Sequence, residues 1–167
     1  MLNYFVFGAG LSILIDMTEP RWLSQDEQRA WRAFLDANTV LFESLERQLQ
    51  HDAGIPHAYY EILVRLSEAP DRSLRMSELA EGSRSSRSRL SHAAARLEER
   101  GWLTRFECPT DRRGQVATLT DAGFAALEAA APGHVAAVRA HMIDLLSAEQ
   151  IGQLEQISRA IADGQRT

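Results

Sequence analysis

Lysine is absent from this sequence: all 18 basic side chains are arginine. Every cation is therefore a guanidinium, the group that can grip guanine or phosphate with two parallel hydrogen bonds. Cysteine is nearly absent too. The single Cys108 cannot form an intrachain disulfide, which fits a reducing compartment and makes the cytoplasm the expected location. No apolar run reaches the ~20 residues of a membrane span. The longest, MLNYFVFGAGLSILID at residues 1–16, also lacks the basic start and small-residue cleavage site of a secretory signal, and Met17 is an alternative start. Missing as well are a Gly-x-Ser-x-Gly elbow, a phosphate loop and a His-Glu-x-x-His pair, so no enzymatic activity and no catalytic residue is expected. The five histidines have no tight Cys/His spacing, although His134 and His141 share a helix face and His51 and His57 could approach it; neither a metal nor a cofactor is expected.

What is present is an ordinary globular composition with an uneven charge distribution. The 167 residues are 45% apolar, enough for one core or two small lobes, and 25% charged. The net charge is -5, yet ten of the arginines fall between Arg72 and Arg113, against six acids. That segment is +4 and the remainder -9. Local sign steers a partner more than net charge does, so the middle of an acidic chain is marked out as an anion-binding region.

Hydrophobic periodicity and capping signals divide the chain into helices around a short β segment. Ser24-x-x-Glu27 is a capping box opening a long helix with Trp31, Phe34, Leu35, Leu41, Phe42, Leu45 and Leu49 at helical spacing, ending near Gly54. Pro56 starts a second helix bearing Tyr59, Ile62, Leu63 and Leu66, closed by Pro70. Ser77 caps a short third helix that leaves at Gly82, and Ser86 caps a fourth, RSRLSHAAARLEER, which Gly101 terminates. WLTRFE and QVATLT are β-forming runs flanking Pro109, Asp111 and Gly114, which predicts a hairpin with Arg112 and Arg113 at its tip. A long apolar stripe follows from Phe124 to Leu145, which Pro132 and Gly133 should kink or split. Ser147-x-x-Gln150 caps a last helix with Ile151, Leu154, Ile157 and Ile161 facing a partner.

The order α-α-α-α-β-β-α-α predicts a mainly α fold with a small β-hairpin wing: a winged helix-turn-helix plus a helical dimerisation lobe. Residues 1–23 form an N-terminal extension, 24–54 and 121–167 the dimerisation lobe, and 55–120 the DNA-binding lobe. In the fourth helix Leu90, Ala93, Ala94 and Leu97 face inward, while Ser88, Ser91, His92 and Ala95 share a small, polar outer face. Such a face fits the ~12 Å major groove, where hydroxyls and imidazole reach base edges. Arg84, Arg87 and Arg89 lie at the helix start, where free N–H groups also favour phosphate. Arg112 and Arg113 can reach the neighbouring minor groove, with Asp111 holding one of them extended.

The stretch SELAEGSRSSRSRLSHAAARLEERGWLTRFECPTDRRGQVATLTDAG resembles the winged helix-turn-helix of the multiple-antibiotic-resistance regulators, the MarR family. It shares ELA, an Arg/Ser-rich helix start, LEERG, Asp-x-Arg in the wing and LT-x-x-G, with looser likeness over residues 24–163. The resemblance implies a sequence-specific transcriptional regulator, a repressor type, acting as a homodimer on a pseudo-palindromic double-stranded operator. It implies recognition-helix contacts from Ser86, Arg87, Ser88, Arg89, Ser91 and His92, and a wing in which Asp111 braces Arg113. It also implies a small aromatic or anionic effector between the lobes, for which Trp31, His57, Tyr59, Tyr60 and Arg65 are the candidates. One departure stands out: Ser83 and Ser85 occupy turn positions that are usually apolar in the family. The competing reading is a winged-helix module that applies its basic face to an acidic protein.

Overall fold

The computed structural model describes residues 20–82, 86–108 and 111–165, with the backbone alone for Arg87 and Asp111–Arg113. The expected N-terminal extension lies almost wholly outside the described residues, as do the turn serines Ser83 and Ser85 and the candidate Arg84. Six helices are described: α1 (Gln25–Ala53), α2 (His57–Glu68), α3 (Met76–Gly82), α4 (Arg87–Glu99), α5 (Asp121–His141) and α6 (Ala148–Asp163). Three strands, β1 (Ser73–Arg75), β2 (Leu103–Cys108) and β3 (Asp111–Leu119), form one antiparallel sheet in the order β1-β3-β2. The chain clusters into two compact units, Met1–Asp36 and Ala37–Thr167.

In the first unit the capping box closes as expected. Ser24 Oγ accepts the Glu27 N–H at 3.2 Å, and the Glu27 carboxylate accepts the Ser24 N–H at 2.7 Å. Trp31 and Phe34, one helical turn apart, stack at 6.2 Å and are about half exposed.

The second unit holds the core. Leu49, Ile55, Leu63, Leu66, Leu79, Leu90, Leu97 and Leu103 are its fully buried large side chains, contributed by α1–α4, the α1–α2 connection and the sheet. Each such side chain removed from water is worth roughly 1.5–3 kcal/mol, so the inward stripe of α4 is anchored by its packing rather than by helix propensity. α4 ends in a Schellman motif: Trp102 N–H donates to the Leu97 carbonyl and Gly101 N–H to that of Glu98, both at 2.9 Å, with Gly101 at φ +72°. Only a residue without Cβ enters that conformation without strain, which is why the helix stops there and the chain turns into β2.

Three expectations are corrected. β1 is a third strand that a three-residue run between Pro70 and Met76 did not reveal. α3 begins one residue before Ser77, and its start is held by Glu78, whose carboxylate accepts the Arg75 N–H at 3.0 Å. The split expected at Pro132 and Gly133 does not occur, since α5 is one helix through Pro132: a single missing N–H is tolerated where neighbouring turns hold the helix, and Gly133 sits close enough to α1 that a Cβ would come within 3.0 Å of Gln48 Nε2. At the far end, Ser147 and Gln150 complete the predicted capping box of α6.

Candidate nucleic-acid interface

Apart from Arg84, which lies outside the described residues, the sequence-predicted contact residues fall on two adjacent elements, α4 with its N-cap Ser86 and the β2–β3 hairpin. Leu90, Ala93, Ala94 and Leu97 are buried against the core, so geometry turns Ser88, Arg89, Ser91 and His92 outward, and all four are exposed. Ala95 is half-buried at the margin of this face. Ser86 has a prior commitment: its hydroxyl accepts the Arg89 N–H at 3.3 Å as the helix N-cap. Capping uses an oxygen lone pair and leaves the hydroxyl proton available to a phosphate. Arg89 stands in the first turn of α4, where the helix dipole and free N–H groups add to its charge, and it forms no ion pair among the described residues.

Other arginines of the basic segment are occupied inside the protein. Arg72 pairs with Asp121 at 3.1 Å and lies over the Phe124 ring at 4.0 Å. Arg96 pairs with Glu99 at 2.8 Å. Arg100 lies 4.9 Å from the Trp102 ring centre and donates to the Gly54 carbonyl. Arg105, on β2, donates Nε and Nη2 to Glu98 Oε2 at 3.0 and 2.7 Å, and its N–H to Glu98 Oε1 at 3.1 Å. These bonds from Arg105 hold the Glu98 carboxyl below the usual carboxylate range. The segment's surplus charge is thus neutralised over the C-terminal half of α4 and the base of the hairpin.

The hairpin differs from expectation in one respect. Its register runs evenly from Leu103↔Leu119 to Glu107↔Gln115, then jumps to Cys108↔Asp111. Arg112, Arg113 and Gly114 therefore occupy a bulged stretch of β3 beside the Glu107–Cys108 step. Bulges bend and re-aim a strand, so the backbone that carries the two arginines is a bulged segment of β3. Cys108 is buried at the end of β2.

The five effector candidates do not converge on one pocket. Tyr60 is buried and lies 4.5 Å from the His134 ring, while His57 meets His134 at 5.7 Å and the edge of Phe42 at 5.6 Å. The His57 N–H donates to Glu46 at 2.8 Å. Burial, and then the neighbouring His57, push the His134 imidazole below its ordinary range. Gln48 Oε1 and His134 Nδ1 are buried with no hydrogen-bond partner among the described residues. Tyr59 instead lines an open cleft of about 450 Å³ with Gln50, Gly54, Arg96 and Arg100. Arg65 pairs with Glu61 at 3.2 Å and covers Gly82, and Trp31 belongs to the other compact unit. His134 and Phe42 are the members of this cluster that sequence reasoning missed as pocket residues. Only contact between α1, α2 and α5 brings them together. No third His, Cys, Asp or Glu joins the two imidazoles to make a metal-holding group among the described residues.

Comparison with known proteins matches residues 55–114 to the family model described as "MarR family". A transcriptional repressor of Escherichia coli, MprA, is 30% identical over 130 residues, covering 78% of this chain and 73% of the relative. The crystal structure of Sco3205, a MarR family transcriptional regulator from Streptomyces coelicolor in complex with DNA, is 54% identical. It superposes with a TM-score of 0.83 over 87% of this chain and 91% of that one. AbsC, a MarR family regulator from the same organism, is 44% identical with a TM-score of 0.81, over 87% of this chain and 98% of its own.

Proposed function

The chain belongs to the MarR family of transcriptional regulators, and from that premise we propose that it is a sequence-specific, homodimeric, effector-responsive repressor that binds double-stranded DNA in the cytoplasm. The observation that carries this reading is α4: one face locked into the core, the other offering Ser88, Arg89, Ser91 and His92 to a major groove. Ser86 and Arg87 at the helix start, with Arg84 before it, supply phosphate contacts. Arg112 and Arg113 on the wing bulge supply the minor-groove contact, with Asp111 as brace. A relative of 54% identity is a regulator in complex with DNA, which supports the same partner here.

Residues 55–120 form the DNA-binding lobe, and 24–54 with 121–167 the dimerisation lobe. Support for a second copy comes from apolar side chains left in water: Val135, Leu145, Ile157 and Ile161 are each more than half exposed on α5, the 143–145 turn and α6. A like helical face on a second copy covers such a stripe. Effector response rests on His57, Tyr60, Phe42 and His134, an aromatic-lined cluster with two polar atoms still to be satisfied. Sedimentation velocity, alone and with a duplex selected by the protein from random sequence, tests the assembly. The expected species are a dimer at micromolar concentration and two protomers per duplex, with half-sites about 34 Å apart. A monomer that stays monomeric on DNA contradicts it.

A further inference from the structure

The contact between α4 and the wing has a built appearance that DNA binding alone does not require. Glu98 lies in the last turn of α4, where a carboxylate opposes the negative end of the helix dipole. A residue that is unfavourable for its own helix calls for a tertiary reason, and Arg105 supplies one. Both Glu98 oxygens are used: Oε2 takes two guanidinium N–H groups and Oε1 takes the Arg105 backbone N–H. β2 is the edge strand of the sheet, so this N–H is satisfied by a side chain instead of a further strand.

The position along the hairpin matters as much as the chemistry. On the inward face of β2, Leu103 is fully buried and Arg105 comes next. The following residues, Phe106 and Glu107, are exposed, and the bulge begins immediately after Glu107↔Gln115. Arg105 thus ties β2 to α4 by side-chain bonds within two residues of the bulge. Arg105 itself is four-fifths buried as a side chain, so it is poorly placed to reach a phosphate. Its charge is used inside the protein.

We infer that Glu98 is a positioning residue for DNA recognition: through its three-bond grip on Arg105 it sets the angle between α4 in the major groove and the wing bulge that carries Arg112 and Arg113. The inference rests on the DNA-binding reading of those two elements. The bulge starts two register pairs beyond Arg105, about 7 Å along the strand. A tilt of about 10° at the clamp moves it by roughly 1 Å, enough to stretch a hydrogen bond of ~2.9 Å out of range. Recognition by α4 and by the wing is then a single act, because neither can be aimed without the other.

A double-mutant cycle on DNA separates positioning from mere support. Glu98→Ala and Arg113→Ala are measured singly and together, by anisotropy on a duplex selected by the wild-type protein, with thermal melting as the fold control. The expected result is about tenfold weaker binding for Glu98→Ala in the wild-type background and less than twofold in the Arg113→Ala background, where the wing has no minor-groove arginine left to aim. The salt slope of Glu98→Ala becomes shallower by about one for each phosphate that the wing ceases to neutralise. Glu98→Gln, which keeps the shape and one acceptor oxygen, is run in the same cycle and decides the matter if Glu98→Ala does not fold. Equal losses in both backgrounds, or no loss at all, overturn the inference while leaving DNA binding intact. A wild-type protein that binds no duplex overturns the DNA-binding reading itself, and the inference with it.

Discussion

Substituting Gly123 by alanine should destabilise the protein, although it replaces a poor helix former by the best one near the start of α5. The reason lies at the junction of wing and helix. Thr120 caps α5 by accepting the Gly123 N–H at 3.0 Å and donates its hydroxyl proton to the Gly101 carbonyl at 2.7 Å. The Trp102 carbonyl accepts the Thr120 N–H at 3.0 Å. That carbonyl oxygen sits where a side chain would be: a Cβ on Gly123 would lie 2.0 Å from it and 2.7 Å from Leu119 Cδ1. A backbone oxygen cannot swing aside as a side-chain tip does, so the helix start must shift by about 1 Å and loosen the Thr120 bond. Overpacking of this kind costs about 1–3 kcal/mol and the weakened hydrogen bond about 1 kcal/mol, offset by ~1 kcal/mol of helix propensity. The net loss is about 2 kcal/mol, or roughly 4–8 °C in melting temperature for a chain of this size. Circular dichroism melts of the two proteins at one fixed concentration measure it. An alanine variant as stable as the parent, or more so, would refute the steric account of the LT-x-x-G motif.

Removing the α6 cap by Ser147→Ala should cost about 1 kcal/mol, because the Gln150 N–H loses the hydroxyl oxygen that accepts it; urea midpoints at constant m-value report it. His134 sets a pH dependence. Its folded pKa lies below the ordinary value, so its contribution to stability is complete above about pH 6.5 and is lost as pH falls through the folded pKa, where only the unfolded chain has taken the proton. Urea midpoints should therefore drop between pH 7.5 and 5.5, and His134→Gln should shrink the drop; an undiminished drop assigns it to another group. Arg113→Ala should weaken DNA binding with the melting temperature unchanged, and unchanged affinity in the folded variant would remove the minor-groove assignment.

The helices were readable because caps and apolar spacing are local signals: Ser24 with Glu27, Ser147 with Gln150, and the Leu90–Leu97 stripe all act within a turn or two. What the chain order alone could not reveal depends on distant partners. β1 is a strand because β3 passes beside it, with Leu74 opposite Ala117, and nothing within Ser73–Arg75 announces that. The bulge at Arg112–Gly114 follows from a register that two β-forming runs leave open. Among the site residues, the outward face of α4 was implied by its inward face, whereas Arg105 reads in sequence as one more basic residue. Its pairing with Glu98 is seen only once the sheet is folded against the helix. The effector candidates fared least evenly, since aromatic residues on neighbouring turns, Tyr59 and Tyr60, point to different surroundings.

The central claim is that α4 and the wing bind double-stranded DNA through charge and read it through shape and base edges. Fluorescence anisotropy on a selected duplex and a scrambled one, repeated from low to physiological salt, tests it most directly. The account predicts a steep negative slope of log affinity against log salt on both duplexes, about 0.9 per phosphate neutralised, and an excess for the selected sequence of roughly a thousandfold or more at physiological salt. Absence of binding to either duplex at low salt, with an acidic protein partner bound instead, would contradict it.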